Sequence, residues 1–431
     1  MRRFILLVVI ALVAGCKSYP EKISNLKREL AGDSSIAEYR IYAPQGLNRL
    51  LALEECGRLY QLKGDWRKSA LTYKDAMDYF IEYSEVRPQI SASETLRNAI
   101  ASTYGNDMSR DYAPIAFEQM MVHTLDISNR LALKEWDGFG INVRNLEIWR
   151  NECKKSSADN AYSLYLIGLY HEAIGDKSNA LKAYRDIERM QGRTANVREA
   201  IRNLETGAKL NEGEIVVFVE DDFIPPKRER YSYKDVLLTT MVSAMPEYSQ
   251  FDSLPCEDGL LVIKEGGSRV AKTQVLCDFA PLAAKALEEI MDGIVARQIS
   301  RTSVKSTTQG AFAATAVGAG AVAAVAAARS DQRVAIISGA IAVAAAIGVV
   351  AVSAYIRASE RADLRSWLLL PRQVQIARFK MKPGRHTLRL YKSGMHQDVQ
   401  VDVKAGKISV VHCITAPNIM RSFSACLDKI K

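Results

Sequence analysis

One segment has the residue types and spacing of a phosphate-binding loop. Gly266-Gly-Ser-Arg-Val-Ala-Lys272-Thr273 departs from the Walker A motif at Ala271, where a glycine must let the backbone approach the phosphates. The residues that follow, QVLCDF, have the pattern of a strand, whereas a phosphate loop continues into a helix whose N-terminus binds the anion. The sequence therefore favours an ordinary β-hairpin turn over a nucleotide site.

The remaining candidates for chemistry lack the spacing that their sites require. The five histidines include no HExxH pair, and core or surface histidines are the simplest interpretation even for the three that could converge in the C-terminal part, His386, His396 and His412. Glu220-Asp221-Asp222 lacks the alternating oxygen ligands of a calcium loop. We therefore predict no catalytic residue, no metal site and no cofactor, and we do not expect an enzyme.

The seven cysteines contain no CxxC pair, so neither a zinc site nor a redox motif is predicted. Two closer pairs, Cys256 with Cys277 and Cys413 with Cys426, could form disulfides in an oxidising compartment. Simple buried thiols are the alternative, and the sequence leaves both open.

The N-terminus has the pattern of an export signal. Met1-Arg-Arg3 precedes an apolar run, which ends in Val13-Ala-Gly-Cys16 and resembles a bacterial lipobox. The resemblance implies that a signal peptide of residues 1–15 is removed and that Cys16 is acylated with palmitate-type chains, which anchor the protein durably. Lys17 in place of an aspartate implies the outer membrane and its periplasmic face, with the inner membrane as alternative. A plain signal peptide with an incidental cysteine is the other interpretation.

Composition is that of a globular protein of two to three domains, with 431 residues, 48% apolar and 25% charged. The formal charge of +9 is spread along the chain, and the predicted signal removes two of the arginines. A solvated surface is the simplest interpretation of this excess, although anionic headgroups or acidic envelope polymers would also suit it. Nucleic acid is not an expected partner of an exported chain.

The N-terminal half has helical periodicity with a recurring break. In LLALEECGRLYQLKGDWRKSALTYKDAMDYF the break separates two amphipathic segments, and the small and large residues match a tetratricopeptide repeat (TPR). The pattern returns at SLYLIGLYHEAIGDKSNALKAYRDI, and a weaker copy between them has Lys134-Glu-Trp136 at its turn. The residues predicted to pack these helix pairs are Gly57, Gly64, Tyr73, Gly168, Gly175, Ala180 and Tyr184. After a tether over residues 16–44, we therefore predict a TPR-like α-solenoid over residues 45–208 that offers a concave surface to a protein partner.

From Gly213 the period changes to the alternation of strands. The pattern predicts a β-rich segment over 213–279, a helix over 280–309 and a C-terminal β segment over 363–416. Pro225-Pro226 must end the first strand, because a central strand does not tolerate proline. We expect the two β segments to pair with each other. The predicted fold class is therefore α+β multidomain, with a β-rich domain interrupted by an apolar helical hairpin.

Residues 310–356, which we call the apolar hairpin, contain two Ala/Gly/Val-rich runs, 310–328 and 334–356, on either side of Arg329-Ser-Asp-Gln-Arg333. Each run is long enough to cross a bilayer. Alanine contributes little to insertion, however, and an acyl chain would already hold the protein on a membrane. The sequence therefore favours a packed hairpin that self-associates or lies against the bilayer, with two transmembrane helices as the alternative.

Several segments together resemble a family of uncharacterised bacterial outer-membrane lipoproteins. They are the lipobox, GEIVVFVEDDFIPPKRE, the MPEY at 245–248, and ERADLRSWLLLPRQVQIARFKMKPGRHTLRL. The resemblance implies a TPR-like first half, an Ala/Gly-rich middle and a β-rich end. It also implies an envelope role, because members tend to be associated with lipoproteins that activate cell-wall synthases. The family has no established catalytic residues, so none is implied here.

These patterns lead to one expected function and one alternative. We expect a lipid-anchored, periplasm-facing scaffold or assembly factor of the cell envelope, which binds envelope proteins through its TPR-like repeats and forms a homo-oligomer. The alternative is a subunit of an oligomeric envelope pore or transport complex that uses the apolar hairpin. The resemblance is densest at the residues expected to contact partners, Arg365, Trp367, Arg378 and His386, although the usual burial of tryptophan also permits a purely structural role for Trp367.

Overall fold

The computed structural model describes residues 48–85, 111–153, 155–206, 211–236, 239–249, 258–328, 332–359 and 361–430, together with the single positions Tyr19, Glu21, Ile23, Ser24, Lys27 and Met108. The predicted signal at 1–15, the acylation site Cys16 and the thiol of Cys256 lie outside the described residues. The described chain is α+β: a run of helices comes first, strands follow, and two long helices divide the strands.

The helices of the first half fold back on one another in pairs. Each pair turns at a residue in the left-handed region: Gly64 at φ 81°, Lys134 at φ 57° and Gly175 at φ 83°. Glycine adopts this conformation without steric cost, and Lys134 shows that a long side chain can also occupy it. The described helices here are α1 (Arg49–Lys63), α2 (Trp66–Glu85), α3 (Ala116–Leu133), α4 (Trp136–Glu152), α5 (Ala161–Ala173), α6 (Lys177–Gln191) and α7 (Ala195–Thr206).

Small residues let the paired helices approach closely. A Cβ on Gly57 would lie 2.3 Å from the ring of Tyr73, and a Cβ on Gly168 would lie 2.6 Å from the ring of Tyr184. Both tyrosines are fully buried, as is Ala180. The first and third pairs therefore contain the same glycine–tyrosine contact between their two helices.

Two sheets and one ribbon make up the β part. A five-stranded sheet has the order β11-β10-β1-β7-β6, in which β1 and β10 are parallel and the other neighbours antiparallel. A four-stranded antiparallel sheet has the order β5-β4-β8-β9, and β2 pairs with β3 alone. The strands are β1 (Gly213–Phe223), β2 (Arg228–Val236), β3 (Thr239–Glu247), β4 (Leu261–Lys264), β5 (Arg269–Lys272), β6 (Gln274–Asp278), β7 (Pro371–Met381), β8 (Gly384–Lys392), β9 (Met395–Val403), β10 (Ile408–Ala416) and β11 (Ile419–Cys426).

Strands from both sides of the long helices pair with each other, as the sequence predicted: β1 with β7 and β10, and β4 with β8. The predicted end of the C-terminal β segment at residue 416 is wrong, because β11 follows it. Asn418, at φ 59°, turns the chain back after Pro417, and β11 then pairs antiparallel to β10 as an edge strand. The segment GGSRVAK forms the turn and second strand of the β4–β5 hairpin, with Gly266 and Gly267 both at positive φ.

Side chains on the two faces of β1 pack against different layers, so the molecule has three layers. Ile215, Val217 and Val219 pack against the four-stranded sheet, whereas Val216 and Phe218 pack against the helices. The five-stranded sheet is therefore the middle layer, buried on both faces, which explains why β1 and β10 are nearly continuous apolar runs.

Two long helices leave the sheets and return. They are α8 (Phe279–Ala328) and α9 (Gln332–Ser359). The predicted boundary between a helix ending at 309 and a separate hairpin starting at 310 is wrong, because α8 continues through it without interruption. A single glycine in a helix interior costs only about 1 kcal/mol, so Gly310 does not end the helix.

Part of the predicted tether over 16–44 packs on the body. Residues 19, 21, 23, 24 and 27 are helical, and Ile23 is buried in an apolar cluster with Leu59 and Leu368. At the positions that the structure describes, the predicted tether over residues 16–44 is therefore wrong, because these residues pack on the body.

Candidate functional site

A buried ionic network joins the helices to the middle sheet. The alternation of β1 places Glu220 on its helix-facing side, where the guanidinium of Arg58 from α1 pairs with it. His412 of β10 donates from Nε2 to Glu220 Oε1 over 2.9 Å, and the hydroxyl of Tyr162 from α5 donates to the same oxygen over 3.1 Å. Burial alone would raise the pKa of Glu220, but Arg58 and His412 lower it to about 2. The carboxylate therefore stays ionised between its two partners.

This network has the residue types of an acid–base site but not its accessibility. The side chains of Arg58, Glu220 and His412 are at most 1% exposed, and Tyr162 is fully buried. A substrate cannot reach these atoms. The ring of His412 also stacks on Phe423, with centroids 5.0 Å apart. The arrangement holds the helical layer in place on the sheet.

A second network lies towards the other end of β1. Arg378 of β7 donates from Nη2 to Glu172 Oε1 and to Glu214 Oε2, over 2.6 Å each, and from Nη1 to the hydroxyl of Tyr165 over 3.1 Å. Its side chain is fully buried. Helix-borne Glu172 and strand-borne Glu214 therefore share one guanidinium, and Arg378 also joins helix to sheet.

Arg365 and Trp367 fix the segment that returns from α9. The Trp367 ring is fully buried 5.8 Å from Tyr73, and its backbone N–H donates to Glu118 over 3.0 Å. Arg365 is 3% exposed and donates from Nη2 to Asp363 Oδ2 over 2.7 Å. Both side chains lie inside the body.

The expected partner contacts at Arg365, Trp367 and Arg378 are therefore wrong, because buried side chains cannot touch another molecule. His386 is half-buried, and its Nε2 bonds the carbonyl of Lys382 over 2.8 Å. His412 lies in the buried network, so the C-terminal histidines do not converge on one another. Among the described residues, no His, Cys, Asp or Glu side chains form a group of three that could hold a metal ion.

The inner face of the helical layer is covered by the chain's own sheet. Tyr162 and Tyr165 of α5 pack edge-on against Phe218 of β1, with centroids 5.6 and 5.5 Å apart. One continuous apolar core includes residues from the helices and from β1, β7 and β10. This face of the helices is therefore not available to a protein partner, and partner binding through the helical half stays a prediction.

A cluster of carboxyl groups lies under the N-terminal segment. Glu54, Glu55 and Glu118 are all at most 3% exposed. Glu55 accepts hydrogen bonds from the backbone of Leu368 and Leu369 and from the hydroxyl of a tyrosine in the N-terminal segment, and burial raises its pKa to about 7. Among the described residues, neither oxygen of Glu54 has a hydrogen-bond partner. Burial, together with Glu118 and Glu55, raises the pKa of Glu54 well above the usual value.

The apolar hairpin differs from the rest of the surface. Ala313, Ser338 and Ala345 are buried where its helices meet, and a Cβ on Gly348 would lie 2.5 Å from the ring of Phe312. Half of the exposed large apolar side chains of the described chain lie in this hairpin: Phe312, Val317, Val322, Val325, Val334, Ile336, Ile337, Ile341, Val343 and Ile347. Exposed apolar surface of this extent is typical of surfaces that bind proteins or membranes.

Two further predictions concern membranes and disulfides. Within the part of the chain that the structure describes, no helix combines the length and hydropathy needed to cross a membrane. Cys413 and Cys426 are both free thiols, as is Cys277, so the suggested Cys413–Cys426 disulfide is not formed. Burial raises the pKa of Cys277 to about 12, so this thiol stays protonated.

Compared with known protein families, with curated proteins and with solved structures, the chain matches none.

Proposed function

We propose that this chain is a lipid-anchored, periplasm-facing scaffold of the bacterial cell envelope that assembles with further copies of itself through the apolar hairpin. The observation that carries the proposal is the exposure of large apolar side chains along both helices of that hairpin, with Ile336 71% and Val317 63% exposed. In the rest of the described surface, exposed apolar side chains such as Ile148 and Leu71 are scattered, and such scatter is normal.

A second copy suits this surface because two helices are half of a four-helix bundle. A symmetric dimer would place the same residues on both sides of the contact, so that Ile336, Val343 and Ile347 of one copy meet their equivalents. These three residues are spaced by seven and four positions, which puts them on one face of α9. The neighbouring alanines and glycines allow close helix approach.

We also propose that the helical half is TPR-like. The left-handed turns at Gly64 and Gly175 and the Gly57–Tyr73 and Gly168–Tyr184 contacts support this assignment. In this proposal the repeats serve as a platform for the sheet, and the partner surface is the apolar hairpin. The anchor is the acylated Cys16 of the lipobox, and the expected location is the outer membrane.

The mass of the mature protein tests the assembly. We expect light scattering in detergent to give an oligomer for the wild type and a monomer for Ile336→Ser/Val343→Ser/Ile347→Ser. The control Ile148→Ser removes an equally exposed isoleucine from α4 and should leave the oligomer intact. A monomeric wild type overturns the proposal. So does a result in which Ile148→Ser dissociates while the triple serine variant stays oligomeric. Mass spectrometry of the N-terminal peptide, with Cys16→Ser as reference, tests the acyl anchor separately.

A further inference from the structure

The described part of residues 19–27 forms one more layer on the body. All five described positions are helical, and Tyr19, Ile23 and Lys27 recur every fourth residue, so that they share one helix face. Ile23 is only 4% exposed, whereas Glu21 and Ser24 lie on the exposed side. This is the burial pattern of a docked amphipathic segment.

Each of the three residues on that face contacts the body. The hydroxyl of Tyr19 donates to Glu55 Oε1 of α1 over 2.8 Å. Ile23 packs in the cluster that contains Leu62. The ammonium of Lys27 lies 4.7 Å above the ring of Phe223 at the end of β1. Hydrogen bonding, apolar packing and a cation–π contact together hold the segment.

Glu55 also connects this segment to the chain that returns from the apolar hairpin. Its Oε1 accepts from the N–H of Leu368 over 2.7 Å and its Oε2 from the N–H of Leu369 over 3.0 Å, while Oε1 also accepts from Tyr19. One buried carboxyl group therefore joins the N-terminal segment, α1 and the chain between α9 and β7.

The distance along the chain from the lipobox cysteine to this contact is short. Three peptide units separate Cys16 from Tyr19, and they span at most about 11 Å when fully extended. An acyl chain on Cys16 lies in the bilayer, so its backbone is at the headgroup level. Tyr19 and the turn of α1 around Glu55 are then held close to the lipid surface.

We propose that the docked segment, which is described at positions 19, 21, 23, 24 and 27, holds the body against the membrane, with the end of the molecule around Tyr19 and Glu55 facing the lipid headgroups. This inference rests on the proposed acylation of Cys16 and adds the orientation of the body. The partner is the bilayer surface, and the segment acts as a rigid mount. A flexible leader as long as residues 17–44 would let the body move roughly 30 Å from the anchor, as expected for a random coil of that length.

Two insertions of the same length distinguish a rigid connection between the acyl chain and the body from a flexible one. Ten Gly/Ser residues inserted between Lys17 and Ser18 lengthen the connection between the acyl chain and the docked segment by about 17 Å in root-mean-square distance. The same ten residues inserted between Ser34 and Ser35 lie beyond the segment and leave that connection unchanged. If residues 17–44 were a free leader, both insertions would lengthen it equally.

The readout is quenching of a fluorophore on α1 by headgroup-labelled lipids. The label is placed at Ala52→Cys, a half-exposed position one turn before Glu55, in acylated full-length protein whose other cysteines after Cys16 are replaced by serine. In vesicles of phosphatidylethanolamine and phosphatidylglycerol we expect strong quenching for the parent and for the Ser34–Ser35 insertion. The Lys17–Ser18 insertion should lose at least about half of it, since quenching falls steeply over such a distance.

The substitution Tyr19→Ala/Ile23→Ser should release the segment and lose quenching to a similar extent, while Glu21→Ala should not. If both insertion variants are quenched equally, or if the acylated parent is not quenched, the proposed rigid attachment is wrong. Neither result contradicts the acyl anchor. An unacylated Cys16 in the mass spectrum instead overturns the proposed function on which the mount rests. The two failures are therefore separable.

Discussion

At the scale of single residues, the buried pair Arg58–Glu220 is one of the buried ion pairs that join the helical layer to the sheet. Removing Arg58 leaves the buried Glu220 carboxylate without its guanidinium partner in a dry environment. Arg58→Met should therefore lower the free energy of unfolding by about 3–5 kcal/mol. Chemical denaturation of the full chain measures the loss.

The matched control for this pair is Arg389→Met. Arg389 donates from Nε to Asp398 over 2.7 Å, but both side chains are about half exposed. An exposed pair of this kind contributes at most about 1 kcal/mol. If the two arginine substitutions cost the same, the link between helices and sheet lies elsewhere.

The carboxyl cluster predicts a dependence of stability on pH. Burial raises the pKa of Glu54 well above its usual value and that of Glu55 to about 7. A carboxyl group whose pKa is raised on folding stabilises the fold fully below its unfolded pKa of about 4.3, and this contribution is lost as pH rises through the folded value. We therefore expect Glu54→Gln to gain stability relative to the wild type between about pH 5 and pH 8.

Urea midpoints across this pH range measure the gain. Glu288→Gln is the control, because it makes the same change at an exposed position on α8. A Glu54→Gln curve parallel to the wild-type curve would show that the cluster does not titrate with unfolding.

The sequence could predict the burial of only some of these side chains. Trp367 carries its own signal, because tryptophan is usually buried, and it is fully buried here. Arg378 and Arg365 carry none, because arginine is mostly exposed. Arg378 is buried against Glu172 and Glu214, which the fold brings beside it from distant parts of the chain. Arg365 instead pairs with Asp363, only two residues away. Alternation along β1 would have placed Glu214 and Glu220 on one face, but a strand pattern does not reveal which helix covers that face.

At the scale of helices and strands, the glycine–tyrosine contacts set the spacing of the helix pairs. A methyl group at Gly57 would meet the Tyr73 ring, which is itself fully buried. We expect Gly57→Ala to lower the free energy of unfolding by about 1–3 kcal/mol through overpacking. Thermal or chemical denaturation measures the change, and Gly168→Ala should behave alike because of Tyr184.

The control for the glycine substitution is Gly318→Ala. Gly318 lies in α8, and no atom of the described residues comes within 4 Å of its added Cβ, so alanine should be neutral or stabilise by up to about 1 kcal/mol. Destabilisation at Gly318 equal to that at Gly57 would mean that general helix effects, and not the tyrosine contact, decide the outcome.

Local signals determine which elements the sequence could predict. Gly64-Asp65 and Gly175-Asp176 combine a left-handed turn with an aspartate, and Asp176 Oδ1 then accepts from the N–H of Asn179 over 3.1 Å at the start of α6. The continuation of α8 through residue 310 and the strand β11 were not predicted, because neither has a local signal in the sequence. A lone glycine does not stop a helix, and an edge strand depends on its neighbour for its existence.

At the scale of the whole molecule, helices and sheet share one apolar core. The helical half alone would expose the face that carries Tyr162, Tyr165 and Leu125. We expect a fragment of residues 45–208 to lack a cooperative unfolding transition and to bind a hydrophobic dye, because its inner face loses the sheet. Circular dichroism melting of the fragment and the full chain measures this. A fragment with a sharp transition at the Tm of the full chain would show that the helical half is an independent domain.

The layered arrangement was only partly accessible from the sequence. Continuous apolar strands such as β1 and β10 indicate burial on both faces, which requires a layer on each side of the sheet. The pattern does not say whether that layer is a second sheet, a set of helices or a partner. The sheet-facing side of the helices and the helix-facing side of β1 each need a cover, and here each covers the other.

The parallel pairing of β1 with β10 also determines the order in which the chain can fold. Glu220 and His412, which meet across this pair, are 192 residues apart, and the apolar hairpin lies between them. During synthesis the helices and β1 emerge long before the strand that completes the middle of the sheet. Contacts this distant form slowly, and the waiting intermediate exposes an apolar face to aggregation. We therefore expect the C-terminal strands to join the fold last, and a chain cut before β10 to leave β1 without its parallel neighbour.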